Sequence, residues 1–394
     1  MSDSRTNDPQ IGPDPQSVPL LDIVGENRPL HDEILEVIRE VFESGRFLYG
    51  PAVTELENAV AELSGAKHAV GCASGSDALL LALLAMDIGP GDEVIVPSFT
   101  FFATASAVER VGAGIVFADI DPTTFNLDPA IVEAAITPNT KAVIPVHLFG
   151  RAANMTELQR IADEAGIQVI EDAAQAIGSK HRDRGAGAWG DVGCFSFYPT
   201  KNLGGCGDGG MLTTSSDELA ERLRLFAAHG MKPRYVHGVV GVNSRLDTLQ
   251  AAALCVKMKH LERWTESRRR HATRYHDLFA HAGLTNKITL PTDDANGTHV
   301  WNQFTIRVSN SRRDDLRSHL AEQRIASEIY YPIPLHQQEC FRHVEYAAGS
   351  LVETERAAAE VLSLPVFPGL TSEEQQRVVD GIARYFAGRR VAAA

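Results

Sequence analysis

Basic residues are scarce in this chain. Its 394 residues include 37 Lys and Arg against 51 Asp and Glu, which gives a formal net charge of −14. Proteins that bind nucleic acids or anionic membrane surfaces need a positive field. The charge therefore argues against both functions, and an anionic small molecule would have to bind at a local basic site.

Long apolar runs are absent as well. No stretch reaches the roughly 18 uninterrupted apolar residues of a transmembrane helix. The polar segment Met1–Pro19 has neither the basic start nor the apolar run of a signal peptide. The five cysteines are odd in number and lack C-x-x-C spacing, which is typical of core or loop thiols and not of a disulfide framework or a metal site. We therefore expect a cytoplasmic protein without a metal site or membrane contact.

Short β-branched runs alternate with segments of helical character along the first 260 or so residues. Strand-like runs occur at Glu93–Val96, Ile115–Asp119, Ala142–Val146, Gln168–Ile170, Cys194–Phe197 and Gly210–Thr214. Helical spacing occurs at Ile34–Val60 (broken near Ser44 and Gly50), Asp77–Ala85, Asp128–Ile136 and Met155–Ala165. The alternation predicts an α/β fold with a mostly parallel sheet covered on both faces.

The pattern changes after Leu261. A basic helical stretch at Arg263–Arg274 opens a second unit, which is predicted to contain a strand at Trp301–Val308 and helices at Arg312–Gln323 and Thr371–Phe386. The predicted division is an N-terminal arm (residues 1–30), a large domain (residues 31–262) and a smaller α+β C-terminal domain (residues 263–394).

Lys201 follows a strand-like run and precedes a loop in which five of the seven residues 204–210 are glycine. Glycine lets the backbone approach a ligand closely. A lysine in a partly buried cleft loses its charge more readily, which suits a Schiff-base amine. A P-loop is disfavoured because no Gly-Lys-Ser/Thr closes the glycines. A surface lysine before a flexible loop is the alternative.

Asp172 stands at the carboxyl end of an apolar strand, where ligands of open α/β sheets bind. It could hold the protonated ring nitrogen that pyridoxal phosphate needs to act as an electron sink, or it could cap a helix. We expect its neighbour Glu171 to point away and form a structural pair.

Two further segments fit the same kind of ligand. Ser74, Gly75 and Ser76 precede an apolar helix, and the free N–H groups of a helix N-terminus favour a phosphate, although a simple cap would have the same sequence. Phe101 or Phe102 could stack on a flat ring or belong to the core.

Together these segments resemble the DegT/DnrJ/StrS family of sugar aminotransferases, which belong to the fold-type I superfamily of enzymes that use pyridoxal 5'-phosphate. The matches run in order from Val18 almost to the C-terminus. Besides the segments above they include Gly89–Val94, Val146–Gly150, Glu171–Ala176, Gly241–Asp247, Leu249–Ala252, Tyr331–His336 and Leu362–Pro365. The resemblance implies a large domain with a mixed, mostly parallel seven-stranded sheet between helices.

The resemblance also implies a role for each matching position. Lys201 matches the Schiff-base lysine and proton shuttle, Asp172 the partner of the ring nitrogen, and Gln175 the residue beside the phenolic oxygen. Positions that match phosphate, ring or substrate contacts are Gly75, Ser76 and Ser196 (phosphate), Phe101 (ring stacking), and Tyr331, His336 and Arg245 (substrate). Asn243 matches an asparagine that reaches the phosphate from the neighbouring subunit, which implies a homodimer with shared active sites.

The implied reaction moves an amino group from L-glutamate to a nucleotide-linked keto-sugar. Arg234–His237 before Asn243 is more similar to members acting at C3 than at C4, so a 3-keto-sugar is favoured. A dehydratase branch has histidine in place of the lysine, and Lys201 argues against it. A pyridoxal-phosphate enzyme of elimination or aldol type and a non-catalytic regulator are the remaining alternatives.

Overall fold

The computed structural model describes residues 17–294, 297–309 and 311–388. The first sixteen residues of the predicted arm and the last six residues of the predicted C-terminal domain lie outside this range. Within it, no helix has the length and apolar character needed to cross a bilayer. All five cysteines have free thiols.

The elements follow one another as the alternating pattern predicts. The strands are β1 (His68–Cys72), β2 (Glu93–Pro97), β3 (Gly114–Ala118), β4 (Thr140–Val143), β5 (Gln168–Asp172), β6 (Lys180–His181), β7 (Arg184–Gly185), β8 (Val192–Ser196), β9 (Gly210–Thr214), β10 (Gly297–Thr298), β11 (Phe304–Arg307) and β12 (Val361–Leu364). The helices are α1 (Ile23–Asn27), α2 (His31–Ser44), α3 (Pro51–Ser64), α4 (Gly75–Ala85), α5 (Ala103–Arg110), α6 (Pro129–Ala135), α7 (Met155–Ala165), α8 (Asp217–Ala227), α9 (Thr248–Met258), α10 (Leu261–His281), α11 (Arg313–Glu322), α12 (Val352–Glu360) and α13 (Ser372–Gly388).

The central sheet has seven strands in the order β1-β9-β8-β5-β4-β2-β3. The β8–β5, β5–β4, β4–β2 and β2–β3 pairs are parallel, and β9 alone runs antiparallel to its two neighbours. The predicted fold-type I architecture is thus confirmed. Because the parallel strands all end at one edge, the loops that follow β1, β2, β5 and β8 lie together there.

Alternate side chains of the sheet pack against two different layers of helices. In β2, Val94 and Val96 pack in one cluster with α4 and α5, whereas Ile95 packs in another with α7. Helix α4 is apolar around its whole circumference and buried over most of its length. An element of that kind forms only inside a core, which explains why its N-terminus is held firmly against the sheet edge.

The second unit is built on the antiparallel pair β11–β12 and helices α10, α11 and α13. Its core is continuous with the first unit: Phe99, Phe125 and Phe149 belong to the same buried cluster as Tyr275 and Phe304. Helix α10 begins before the predicted domain boundary and runs through it without a break. The division into two domains remains a prediction.

Several boundaries differ from those predicted. Strand β4 ends at Val143 and not at Val146, because Pro145 has no N–H to donate to a ladder. Strand β11 occupies only four residues of the predicted Trp301–Val308 run, Phe304–Arg307. Helix α4 begins two residues before Asp77, since Ser74 provides the N-cap by accepting a hydrogen bond from the Asp77 N–H.

Replacing Gly193 of β8 by alanine tests the packing under the sheet. The added Cβ would lie 2.3 Å from the Gly187 Cα and 2.5 Å from the Thr213 Oγ1. We expect a loss of about 1–3 kcal/mol in unfolding free energy, the usual cost of overpacking, measured by urea denaturation of the cofactor-free protein. Gly89→Ala is the control, because its nearest neighbour would be 3.7 Å away. Equal stability of the two variants would contradict this packing.

Candidate active site

The residues predicted to bind one ligand come together at the carboxyl edge of the central sheet. Gly75 follows β1, Phe101 follows β2, Asp172 ends β5, and Ser196 ends β8 just before Lys201. They are spread over more than a hundred residues of sequence. Parallel strand order is what brings them to one edge.

Asp172 is buried, and its carboxylate has two hydrogen bonds. The Thr104 hydroxyl donates to Oδ2 at 2.8 Å and the Ala174 N–H donates to Oδ1 at 3.2 Å. Burial raises the pKa of Asp172, while Thr104, Ala174 and the nearby charge of Lys201 act in the opposite direction. No helix begins at this point, so Asp172 does not serve as the helix cap that was the alternative.

Lys201 lies close enough to Asp172 for each charge to affect the other. Desolvation lowers the pKa of the Lys201 amine to about 8, and the Asp172 carboxylate opposes this shift. An amine with such a pKa is partly neutral near physiological pH, as a nucleophile or a proton carrier must be. A surface lysine would keep the ordinary value near 10.4.

Gln175, three residues after Asp172, is hydrogen-bonded to the second unit. Its Nε2 donates to the Tyr331 hydroxyl at 3.0 Å, and its Oε1 accepts from the Phe149 N–H at 2.6 Å. The Phe101 ring lies 6.1 Å from the Tyr331 ring and is half exposed. The half-exposed Phe101 and the partly buried Tyr331 thus bring two aromatic rings together beside Gln175.

The predicted phosphate contacts lie at the N-terminus of α4, where β8 approaches very closely. A Cβ on Gly75 would lie 2.6 Å from the Ser196 Cβ and 3.1 Å from its Oγ. Glycine at this position lets the first N–H groups of an eleven-residue helix and the Ser196 hydroxyl face the same point. Such an arrangement favours an anion.

Behind the site, Glu171 points to the opposite face of the sheet, as expected. Its carboxylate accepts from His147 Nε2 at 2.8 Å and from the N–H groups of Gly187, Trp189 and Gly190 at 2.7–2.8 Å. The Ala153 N–H donates to His147 Nδ1, so the ring is a neutral donor to a fully paired carboxylate. Glu171 is a structural residue that fixes the end of β5.

Three predicted residues are not part of this cluster. Asn243 is exposed and Arg245 is partly exposed on the segment before α9. The His336 side chain is fully buried, and both ring nitrogens have partners. His336 is thus placed for a role other than the predicted substrate contact.

The sequence interpretation missed Thr104, the hydroxyl partner of Asp172. Thr104 lies in the first turn of α5, two residues after Phe102. A threonine at the start of the helix that follows a parallel strand lies at the ligand-binding edge of the sheet, and that position was the available signal.

Comparison with known proteins agrees with this site. The sequence pattern of the DegT/DnrJ/EryC1/StrS aminotransferase family matches residues 29–383. The chain belongs to this family. A "pleiotropic regulatory protein" of Geobacillus stearothermophilus is 51% identical over 94% of this chain and 99% of its own length. A UDP-N-acetyl-3-dehydro-alpha-D-glucosamine 3-aminotransferase of Acidithiobacillus ferrooxidans is 47% identical over 94% of this chain and 99% of its own.

Among solved structures, Streptomyces venezuelae DesV in complex with a ketimine intermediate superimposes with a TM-score of 0.90. It is 43% identical and covers 94% of this chain and 98% of its own. The chain is therefore an aminotransferase, and its family depends on pyridoxal phosphate.

The pKa of Lys201 can be tested on the cofactor-free protein by acylation at a series of pH values, followed by mass spectrometry. Only the neutral amine reacts, so labelling of Lys201 should reach its half-maximal rate near pH 8, with exposed lysines of the same digest as references. Asp172→Asn removes the charge that raises this pKa and should move the midpoint to lower pH. A Lys201 midpoint equal to that of the references would contradict the described burial.

Proposed function

We propose that this aminotransferase transfers the amino group of L-glutamate to a nucleotide-linked 3-keto-sugar, with Lys201 as the catalytic amine. The observation that carries the proposal is the desolvated Lys201 amine beside the buried Asp172 carboxylate at the sheet edge. The amino donor, the sugar and the residue roles below are parts of the same proposal.

The described residues fit pyridoxal phosphate at each of its polar groups. Gly75, Ser76 and Ser196 would hold the phosphate at the α4 N-terminus, where a side chain on Gly75 would fill the space. Asp172 would hold the ring nitrogen, Gln175 would lie beside the phenolic oxygen, and Phe101 would cover the ring. The cofactor, when bound, supplies the electron sink that makes the transferred proton acidic.

Three side chains would carry out the protein's own part in the reaction. The Lys201 Nζ would remove the Cα proton of the donor in the first half-reaction and deliver a proton to the acceptor carbon in the second, because its lowered pKa lets it exist in both forms. Asp172 stays ionised through its bonds from Thr104 and Ala174 and keeps a proton at the ring nitrogen. Tyr331, held by Gln175, closes the space next to the ring and limits access of water.

A nucleotide diphosphate needs basic groups, which the overall charge does not provide. Lys232, Arg234 and Arg245 are the candidates; Lys232 and Arg234 are exposed and Arg245 is partly exposed. Amination at C3 is supported by the segment from Arg234 to His237 and by the 3-aminotransferase activity for which the Acidithiobacillus relative is named.

We also propose a homodimer. Residues 232–240 are all exposed and include large apolar side chains: Tyr235 is 75% and Val240 is 93% exposed. Apolar side chains this exposed are typical of an interface. Asn243 follows the same segment and is exposed, which supports its proposed reach to the site of a second subunit.

Two other functions are less well supported. Elimination or aldol chemistry would use the same lysine and cofactor, but the segment Asn243–Asp247 matches the sugar aminotransferases. The Geobacillus relative carries a regulatory name. A purely regulatory protein would not need the lowered pKa of Lys201 or the buried Asp172.

The reaction can be followed by absorbance. We expect a band near 400–430 nm, roughly the range of a lysine-bound cofactor, that L-glutamate removes and a 3-keto sugar nucleotide restores. A panel of UDP- and dTDP-linked 3-keto and 4-keto sugars identifies the acceptor, and Lys201→Ala is the inactive control. Restoration by 4-keto-sugars alone would overturn the C3 assignment, and lack of any cofactor band would overturn the whole proposal.

Mixing two inactive variants tests the shared site. Lys201→Ala removes the amine of a subunit's own site, and Asn243→Asp places a negative charge beside the phosphate of its partner's site. In a mixed dimer one site has both changes and the other has neither, so each mixed dimer retains one intact site. About half of the dimers in an equal mixture are mixed, and the mixture should therefore recover about 25% of wild-type activity after subunit exchange. Each variant alone is the control. No recovery, with exchange verified by mass spectrometry, would contradict the role of Asn243.

A further inference from the structure

Ser98, the residue directly after β2, makes three hydrogen bonds to residues more than 230 positions later in the chain. Its carbonyl accepts from the Leu335 N–H at 2.8 Å, and its hydroxyl oxygen accepts from the His336 N–H at 3.2 Å. The same hydroxyl lies 2.7 Å from His336 Nδ1. All of these groups are buried, so the contact is not weakened by competition with water.

The neutral form of the His336 ring satisfies both of its contacts. The Ser98 oxygen accepts from the His336 backbone N–H, and its own proton can be donated to Nδ1 of a ring that is protonated at Nε2. The proton of the ring sits on Nε2, 3.3 Å from Glu355 Oε1. Protonation of the ring would turn Nδ1 into a second donor toward the Ser98 oxygen and would remove the acceptor of the Ser98 hydroxyl proton.

Besides Ser98, two carboxylates and two aromatic rings lie around the His336 ring. Glu355 of α12 is half exposed, and Asp119 after β3 is already occupied by the N–H groups of Glu353 and Thr354. The remaining neighbours are the rings of Phe117 and Tyr346, at 6.4 and 4.8 Å. Burial lowers the pKa of His336, and the two carboxylates oppose this change.

This contact joins the two sides of the active site. Ser98 precedes Phe99 and Phe101, and His336 ends the segment 331–336 that begins with Tyr331. The Tyr331 ring lies 6.3 Å from the Phe99 ring and 6.1 Å from the Phe101 ring. The distance between Phe101 and Tyr331 is thus set by the Ser98–His336 contact at one end of the segment and by the Gln175–Tyr331 hydrogen bond at the other.

We propose that His336 is a positioning residue that, through Ser98, holds Tyr331 against Phe101 and so shapes the space that receives the acceptor sugar. It acts without touching either substrate, since its side chain has no exposed surface. The inference rests on the proposed function, because it assigns the space beside Tyr331 to the sugar. The acceptor half-reaction depends on this space more than the donor half-reaction does, since the sugar is the larger substrate.

Four variants of the holoenzyme separate this role from general stability. Ser98→Ala and His336→Leu remove the side-chain contact, whereas His336→Asn keeps an acceptor oxygen at the position of Nδ1. Ser106→Ala is the matched control, because its hydroxyl only bonds the Ala103 carbonyl of the same helix. KM for the keto-sugar and the rate of the glutamate half-reaction are measured for each.

We expect Ser98→Ala and His336→Leu to raise KM for the sugar at least about tenfold, with the glutamate rate changed less than about twofold. His336→Asn and Ser106→Ala should stay within about threefold of wild type in both measurements. Equal losses in both half-reactions for Ser98→Ala would overturn the proposal in favour of a merely structural role. If the wild type accepts no keto-sugar, the proposed function fails. The pH dependence of a fluorine resonance at Tyr331 then still tests the Ser98–His336 contact.

A pH series gives that readout. With 3-fluorotyrosine at position 331 of the holoenzyme, the fluorine resonance should shift as the pH falls below the ordinary histidine range near 6.5, where the neutral ring is lost. The sugar KM of the wild type should rise over the same interval. Both changes should be absent in His336→Asn, which does not titrate there. A resonance that is independent of pH in the wild type, or that shifts equally in His336→Asn, would overturn the proposal.

Discussion

The site depends on one constraint, the burial of two consecutive carboxylates at the end of β5. A buried charge is tolerated only when it is paired and hydrogen-bonded. Because side chains of a strand alternate between faces, Glu171 and Asp172 cannot share partners. Glu171 receives four hydrogen bonds from His147 and the 187–190 turn. Asp172 receives two and faces Lys201, so only Asp172 retains the capacity to hold a further cationic group. Two adjacent acids thus have separate tasks, one structural and one chemical.

The second unit completes a site that the sheet alone leaves open. Its core is shared with Phe99, Phe125 and Phe149 of the first unit, and a shared core fixes the relative position of the two sides. Tyr331 contributes a ring and a hydroxyl from this unit, and it is held through Gln175. The Ser98–His336 contact lies beyond Tyr331 and faces no ligand. We infer that the position of Tyr331 is set by buried groups behind it, so that a conspicuous histidine in the sequence need not meet a substrate.

Sequence patterns predicted what depends on local periodicity and on strand order. The alternation of strands and helices predicted the parallel sheet, and the position of Asp172 after an apolar run predicted its place at the ligand-binding edge. The contacts that complete the site span far greater separations: Thr104–Asp172 spans 68 positions, Gln175–Tyr331 spans 156 and Ser98–His336 spans 238. The Gln175–Tyr331 and Ser98–His336 contacts require the packing of both units to be known, and the Thr104–Asp172 contact requires that of the first unit. The resemblance implied a substrate contact for His336, whereas the burial of its ring and the two partners of that ring are the basis of the proposed positioning role.

Because desolvation and the Asp172 charge act on the pKa of Lys201 in opposite directions, the protonation of its amine depends on what Asp172 binds. Desolvation favours the neutral amine, and the Asp172 charge favours the protonated one. A cation bound to Asp172 cancels that second effect, because the pair presents little net charge to the amine. With a ring nitrogen held at Asp172, as proposed, the pKa of Lys201 falls further and a larger fraction of its amine is neutral. In the proposed site the same carboxylate therefore favours the charged amine before the cation binds and ceases to do so afterwards.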